Sequence, residues 1–243
     1  MNENNRNAFI GMNVETLFKN SIVDNAEVTR AIQEHFKLDG HFTQAIKSGI
    51  QGEKADVKME FACGHNIDVN IKAYKEKSAF NQLTRTSVSK FCNIFDLSSL
   101  EQENLENIVV EKSINPKNKL FAEQDWEKWE VFFNNNVKEI LKWGFSSKPT
   151  REILVLFNRD DNTFRIYPML QVLKLLNKDI THTKGGFNIG DCVSFQRKGG
   201  NGSLSKIIPK NSIKHPGNNI QLKLKCNKFV SSMEFAKIAG YKV

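Results

Sequence analysis

Apolar side chains recur along this 243-residue chain with two different periods, and the switches between them outline its elements. Val28, Ala31, Ile32 and Phe36 recur at steps of three and four, which predicts a helix over about 25–37. Asp24 and Glu27 have the spacing of a capping box ahead of it, and Asp39-Gly40 closes it. The first 50 residues as a whole read as helical. Two segments then alternate strictly. Across 54–62, Ala55, Val57, Met59 and Phe61 share one side and Asp56, Lys58 and Glu60 the other. Across 66–74, Ile67, Val69, Ile71 and Ala73 oppose Asp68, Asn70, Lys72 and Tyr74. A period of two predicts two strands, and Cys63-Gly64-His65 offers the glycine of a tight turn between them. A three-residue connection pairs Phe61 with Ile67, Met59 with Val69 and Val57 with Ile71, so apolar meets apolar throughout. That register sets Asp56 across from Lys72 and Lys58 across from Asn70.

From Thr84 to Phe145 the helical period returns. Ser98/Ser99 precede a run over 100–112. Trp126, Trp129, Phe132/Phe133, Val137 and Ile140/Leu141 form one stripe over 123–143, expected to be core. Segments 152–159 and 163–167 flank Asp160-Asp161-Asn162 as a second hairpin, and Pro168 opens a short helix. Beyond it, 192–198 and 220–226 read as strands around Gly199-Gly200-Asn201-Gly202. There is no internal repeat or linker. The expected architecture is a single mixed α/β (α+β) domain over 1–243, with a central mixed β-sheet flanked by helices.

Charge sharpens this picture. The formal net charge is +8, from 35 Lys+Arg and 27 Asp+Glu. Residues 181–243 hold 11 Lys/Arg and 2 Asp/Glu, a net of +9, so residues 1–180 are nearly neutral at −1. A basic segment of this kind suits a polyanion; a solubilising lysine-rich face is the plainer alternative. No apolar run reaches the roughly 20 residues of a membrane helix, and no signal peptide is visible. Four cysteines without a Cys-x-x-Cys pair suit a reduced, cytoplasmic chain. The five histidines are scattered without zinc spacing, and no P-loop or dinucleotide fingerprint is present.

Two groups of residues carry candidate chemistry. Phosphodiester hydrolysis needs a hard cation on oxygen ligands. Asp56, the Asn70 side chain and the Ile71 backbone carbonyl can supply them, with Lys72 on the same face to neutralise developing charge. The alternative is an ordinary cross-strand Asp–Lys pair. Secondly, Gln196, Arg197 and Lys198 join long donors to the glycines Gly199 and Gly200 and to Asn201, a set suited to base edges and phosphates. Asn81, Gln82 and Arg85 form another polar cluster.

The order of a helix, an Asp strand, an amide-x-Lys strand, Phe80-Asn81-Gln82 and Phe195-Gln196-Arg197-Lys198-Gly199-Gly200 resembles type II restriction endonucleases of the PD-(D/E)xK superfamily, MspI-like group. The resemblance implies a restriction-endonuclease-like fold with a 1–180 catalytic core and a 181–243 DNA-recognition segment. It also implies Mg²⁺-dependent cleavage of double-stranded DNA at a four-base GC-rich palindrome, GCGC preferred, by a monomer or weak homodimer without a further protein partner. Asp56, Asn70 and Lys72 then take the catalytic positions. Ala55 stands where the motif has proline, and Asn70 replaces a carboxylate, which removes one negative ligand. Glu34 on the early helix would supply a carboxylate, with Glu27 and Glu60 as competitors. The other function class is a non-catalytic DNA- or RNA-binding protein.

Overall fold

A computed structural model describes residues 3–48, 55–77, 80–146, 148–200 and 203–243. In chain order the elements are α1 (Glu3–Val23), α2 (Ala26–Phe36), β1 (Phe42–Lys47), β2 (Val57–Phe61), β3 (Asn66–Tyr74), β4 (Asn81–Thr86), α3 (Val88–Ile94), α4 (Ser99–Ile114), α5 (Glu123–Gly144), β5 (Glu152–Asn158), β6 (Thr163–Pro168), α6 (Met169–Leu176), β7 (Ile180–Thr183), β8 (Gly186–Ile189), β9 (Val193–Arg197), β10 (Ile220–Leu224), α7 (Cys226–Met233) and β11 (Ala239–Lys242). They gather into two compact units. One comprises 1–81, 145–175 and 226–243; the other comprises 82–144 and 176–225. The basic segment 181–243 is shared between them, with 181–225 in the second unit beside 82–144 and 226–243 in the first.

The first unit is built on a six-stranded mixed sheet of order β1-β2-β3-β5-β6-β11. Only β3 and β5 run parallel, and the other four pairs are antiparallel. Every residue of β5 is buried, as expected of a central strand with both faces covered. Val57, Met59, Ile67, Val69, Ile153 and Val155 pack with Phe18, Ile22, Val28 and Ile32 of α1 and α2. This is the expected mixed sheet flanked by helices.

Three expectations are corrected. The 1–50 stretch is not all helical: β1 is an edge strand whose bulge between Phe42 and Gln44 breaks its alternation. The capping box at Asp24/Glu27 does not form; Asn25 is the N-cap of α2, without a side-chain cap. Thirdly, the β2/β3 register is shifted by two, pairing Val57 with Val69, Met59 with Ile67 and Glu60 with Asn66. The three-residue loop is Ala62-Cys63-Gly64, closed by Phe61 N–H to the His65 carbonyl at 3.0 Å, with Gly64 at φ +76°. A shift of two leaves every side chain on its own face, so apolar pairing alone favours neither register. Lys54 lies outside the described residues.

The second unit holds a five-stranded sheet of order β4-β10-β9-β8-β7 with α3, α4 and α5. Trp126, Trp129 and Phe133 of the α5 stripe are buried against Phe121, Phe187 and Phe195, so the stripe is core, as its spacing predicts. Ser98 caps α4 in a full capping box with Glu101.

Candidate active site and nucleic-acid interface

In the first unit, alternation turns Val57, Val69 and Ile71 into the α1/α2 core, which leaves Asn70 and Lys72 on the opposite face of the sheet. Asp56 stands just before β2. Its N–H donates to the Val69 carbonyl at 2.8 Å, and its Oδ2 accepts the Ile71 N–H at 2.6 Å. A carboxylate thus takes the place of the next backbone acceptor, because β2 ends at Val57. In an extended strand a residue's N–H and carbonyl point to the same edge. The Ile71 carbonyl therefore faces the edge that Asp56 occupies, rather than β5.

Asn70 is 4% exposed. Its amide nitrogen donates to the Phe145 carbonyl at 3.2 Å. A carbonyl only accepts, so chemistry fixes which end of the amide faces it. The Oδ1 is left buried without a hydrogen-bond partner, an arrangement that costs about 1–3 kcal/mol unless something occupies it. The segment carrying Phe145 is itself anchored: the Ser146 hydroxyl donates to buried Glu152 and accepts the Lys148 N–H at 3.0 Å. A carboxylate, an orphaned amide oxygen and a strand-edge carbonyl are all hard oxygen donors, and they fit a small divalent cation such as Mg²⁺.

Lys72 does not pair with Asp56. Among the described residues no ion pair joins them, and the observed register carries Asn70, not Lys72, opposite Asp56. The cross-strand Asp–Lys pair is therefore absent. Burial pushes the Cys226 thiol up to about 12, and the Lys72 charge opposes that shift, so its ammonium acts on this part of the unit.

Glu34 lies on the exposed side of α2, a helix packed on α1, β1 and β11. Glu27 is exposed, and Glu60 accepts from Gln44 at 2.7 Å. Among the described residues no three His, Cys, Asp or Glu side chains gather as a metal-binding set. The carboxylate that sequence reasoning missed is Glu152. It is paired with Asp68 in the parallel β3/β5 ladder, two residues before the Asn70–Leu154 pair and on the same face. Its one signal is a charge at the head of an otherwise apolar run.

In the second unit, successive residues of β9 point to opposite faces. Phe195 and Arg197 share the face of Phe187, Ile220 and Leu222, whereas Gln196 lies with Gln221 on the other. Arg197 and Gln196 therefore do not present one continuous reading surface. The Arg197 guanidinium is engaged internally, Nε donating to Asn218 Oδ1 at 2.7 Å and Nη2 to Ser113 Oγ at 2.8 Å. Gly199 and Gly200 pack closely against Gly217 and His215. Asn201 lies outside the described residues. Asn81 belongs to the first unit, where its amide donates to the Ala73 carbonyl at 2.7 Å. Gln82 and Arg85 are exposed on β4. Burial lowers the pKa of Lys198, and the like charges of Arg85, Arg197 and Lys223 lower it further, which marks a patch of positive potential.

No family model matches the chain, and no curated protein matches it in sequence. Among solved structures, it is similar to the restriction endonuclease MspI crystallised in complex with its cognate DNA. The two share 13% identity, with 81% of this chain and 77% of that chain covered, at a TM-score of 0.50. The fold is thus restriction-endonuclease-like.

Proposed function

We propose that the chain is a Mg²⁺-dependent endonuclease that cleaves double-stranded DNA at a short specific site. The observation that carries the reading is the buried, unpartnered Asn70 Oδ1, one residue before the Ile71 backbone edge that the Asp56 carboxylate occupies. The DNA-bound neighbour of the same fold supports the choice of substrate.

Asp56, Asn70 Oδ1 and the Ile71 carbonyl would hold the cation, which when bound stabilises negative charge on the phosphate oxygens. Ile71 N–H holds the Asp56 carboxylate in one orientation, and the Phe145 carbonyl does the same for the Asn70 amide. Lys72, two residues beyond Asn70 and on its face, orients the attacking water and neutralises charge as the phosphorus–oxygen bond opposite it breaks. Arg85, Lys198 and Lys223 draw the duplex electrostatically, and Gln82 and Gln196 supply uncharged donors to base edges. The residue pattern resembles endonucleases of GC-rich four-base palindromes, and GCGC is the target to try first.

Plasmid DNA incubated with Mg²⁺ should give discrete fragments whose sequenced ends share one short motif. Asp56→Ala and Lys72→Ala should each abolish cleavage while leaving DNA binding intact. Plasmid left whole at high protein concentration, with DNA still bound, would refute the nuclease and leave a binding protein.

A further inference from the structure

We propose that residues 204–219, between β9 and β10, engage DNA: exposed Leu204 and Ile207 press into a groove of the duplex while Lys206, Lys210 and Lys214 grip its phosphates. The proposal rests on the DNA-binding part of the reading above, and it names residues outside the Gln196–Asn201 segment.

Long connections that carry little regular structure in a compact unit are commonly functional, and this one buries two polar side chains while it exposes two large apolar ones. His215 is 2% exposed; its Nδ1 accepts the Gly217 N–H at 3.0 Å, so Nε2 carries the proton and donates to the Ser205 carbonyl at 3.2 Å. Asn218, 1% exposed, donates to the Lys210 and Ser212 carbonyls at 3.0 and 2.8 Å and accepts from Arg197. Arg197 therefore braces the loop from β9.

Leu204 and Ile207 are exposed, whereas Ile208 and Ile213 are half-buried. Leu204 is 57% and Ile207 75% exposed. The Ile207 N–H donates to the Leu204 carbonyl at 3.2 Å, so the two stand one 3₁₀ turn apart on a single ridge. Lys206 precedes Ile207 in the chain, and Lys210 and Lys214 follow in the same connection; all three are exposed. No Asp or Glu occurs anywhere from Cys192 to Met233. A partner that covers apolar side chains and neutralises unopposed lysines presents apolar surface beside closely spaced anions. Double-stranded DNA does so, since sugars and base edges line a groove walled by phosphates, and apolar wedges are a known means of engaging it. Two aliphatic side chains make far less apolar area than the amphipathic helix an anionic bilayer takes up.

The test uses the full chain in EDTA, where the proposed cleavage is silent. A fluorescein-labelled mixed-sequence duplex and vesicles of mixed phosphatidylserine and phosphatidylcholine serve as probes. Leu204→Ser/Ile207→Ser should weaken duplex binding roughly tenfold. Lys206→Gln/Lys210→Gln/Lys214→Gln should flatten the dependence of log affinity on log salt by about 0.9 for each phosphate that a lysine no longer neutralises. In Ile207→Trp, the new indole should be quenched by the duplex and not by vesicles. Unchanged affinity, salt slope and indole emission in a parent chain that binds the duplex would overturn the loop alone. A response to vesicles only would reassign the ridge to membranes and overturn it as well. A parent chain that does not bind the duplex at all would remove both this proposal and the nuclease reading.

Discussion

Asn70→Asp restores the carboxylate that the PD-(D/E)xK motif carries, so the motif by itself predicts a gain; the geometry predicts a loss. The change removes the donor that holds the Phe145 carbonyl at 3.2 Å and places a negative oxygen against that carbonyl, at a position 4% exposed. Losing the hydrogen bond costs about 1 kcal/mol, and burying an uncompensated charged oxygen adds at least about 2 kcal/mol. The expected total in EDTA is about 3 kcal/mol, which lowers Tm by about 6–12 °C for a chain of this size. Burial raises the folded-state pKa of the new carboxyl above its unfolded value of about 3.9. Its stability contribution is then fully present below the unfolded value, where the neutral acid can donate to Phe145, and is lost as pH rises through the folded value. The deficit against the parent chain should therefore be small near pH 4 and full near pH 8. Urea unfolding followed by circular dichroism at both pH values reads it, and Mg²⁺ should return part of the loss. Equal stability of variant and parent at the higher pH in EDTA would refute the Phe145–Asn70 lock.

Arg197→Ala strips Asn218 and Ser113 of a charged donor, so it should destabilise by about 2 kcal/mol and weaken cognate and random DNA alike; a loss confined to one sequence would make Arg197 a base reader. Gly186 has φ +147° and its added Cβ would stand 2.2 Å from the Phe195 carbonyl oxygen, so Gly186→Ala should cost more than about 2 kcal/mol in thermal unfolding. Of the four cysteines only Cys63 is exposed, while burial pushes Cys92 up to about 11 and Cys226 up to about 12. An aromatic disulfide reagent at mildly alkaline pH should therefore titrate one thiol in the folded chain and four after denaturation. Ser98→Ala should cost about 1 kcal/mol. Hydrogen bonds from the Ser98 hydroxyl and N–H hold the Glu101 carboxyl below its ordinary range, so this contribution is present above that range and fades as pH falls through the lowered value.

Where one period runs uninterrupted, the sequence and the structure agree. The α5 stripe, the start of α4 after Ser98, the β5/β6 hairpin and the facing of β2 against β3 are all legible in the sequence. Short or irregular elements are not. The four-residue strands β7, β8 and β11 are too brief to establish a period, and β1 loses its alternation to a bulge. The face that Asn70 and Lys72 share follows from alternation, because parity survives a register shift of two. Glu152 escaped notice because a carboxylate at the head of an apolar run reads as a boundary, whereas its burial depends on Ser146 returning to meet it. Arg197 reads as a recognition residue because adjacency in sequence masks the opposite facing of neighbours in a strand; only the packing of α4, which brings Ser113, shows where its donors go.

The shifted register bears on chemistry as well as on which residues pair. In the expected register, Val57 meets Ile71 and Asp56 meets Lys72, so the strand edge would be closed by hydrogen bonds and the two charges would satisfy each other. Moving the pairing by two brings Val57 to Val69, so β2 ends one step short of Ile71. Three consequences follow from that single step. The Ile71 N–H takes the Asp56 side chain as its acceptor in place of a backbone carbonyl, which orients the carboxylate. The Ile71 carbonyl is released from the β2/β3 ladder along the same edge. Lys72 is left unpaired with Asp56 and can meet an anion brought from outside. A hairpin that stopped one pair later would close the edge at which the cation is proposed to bind.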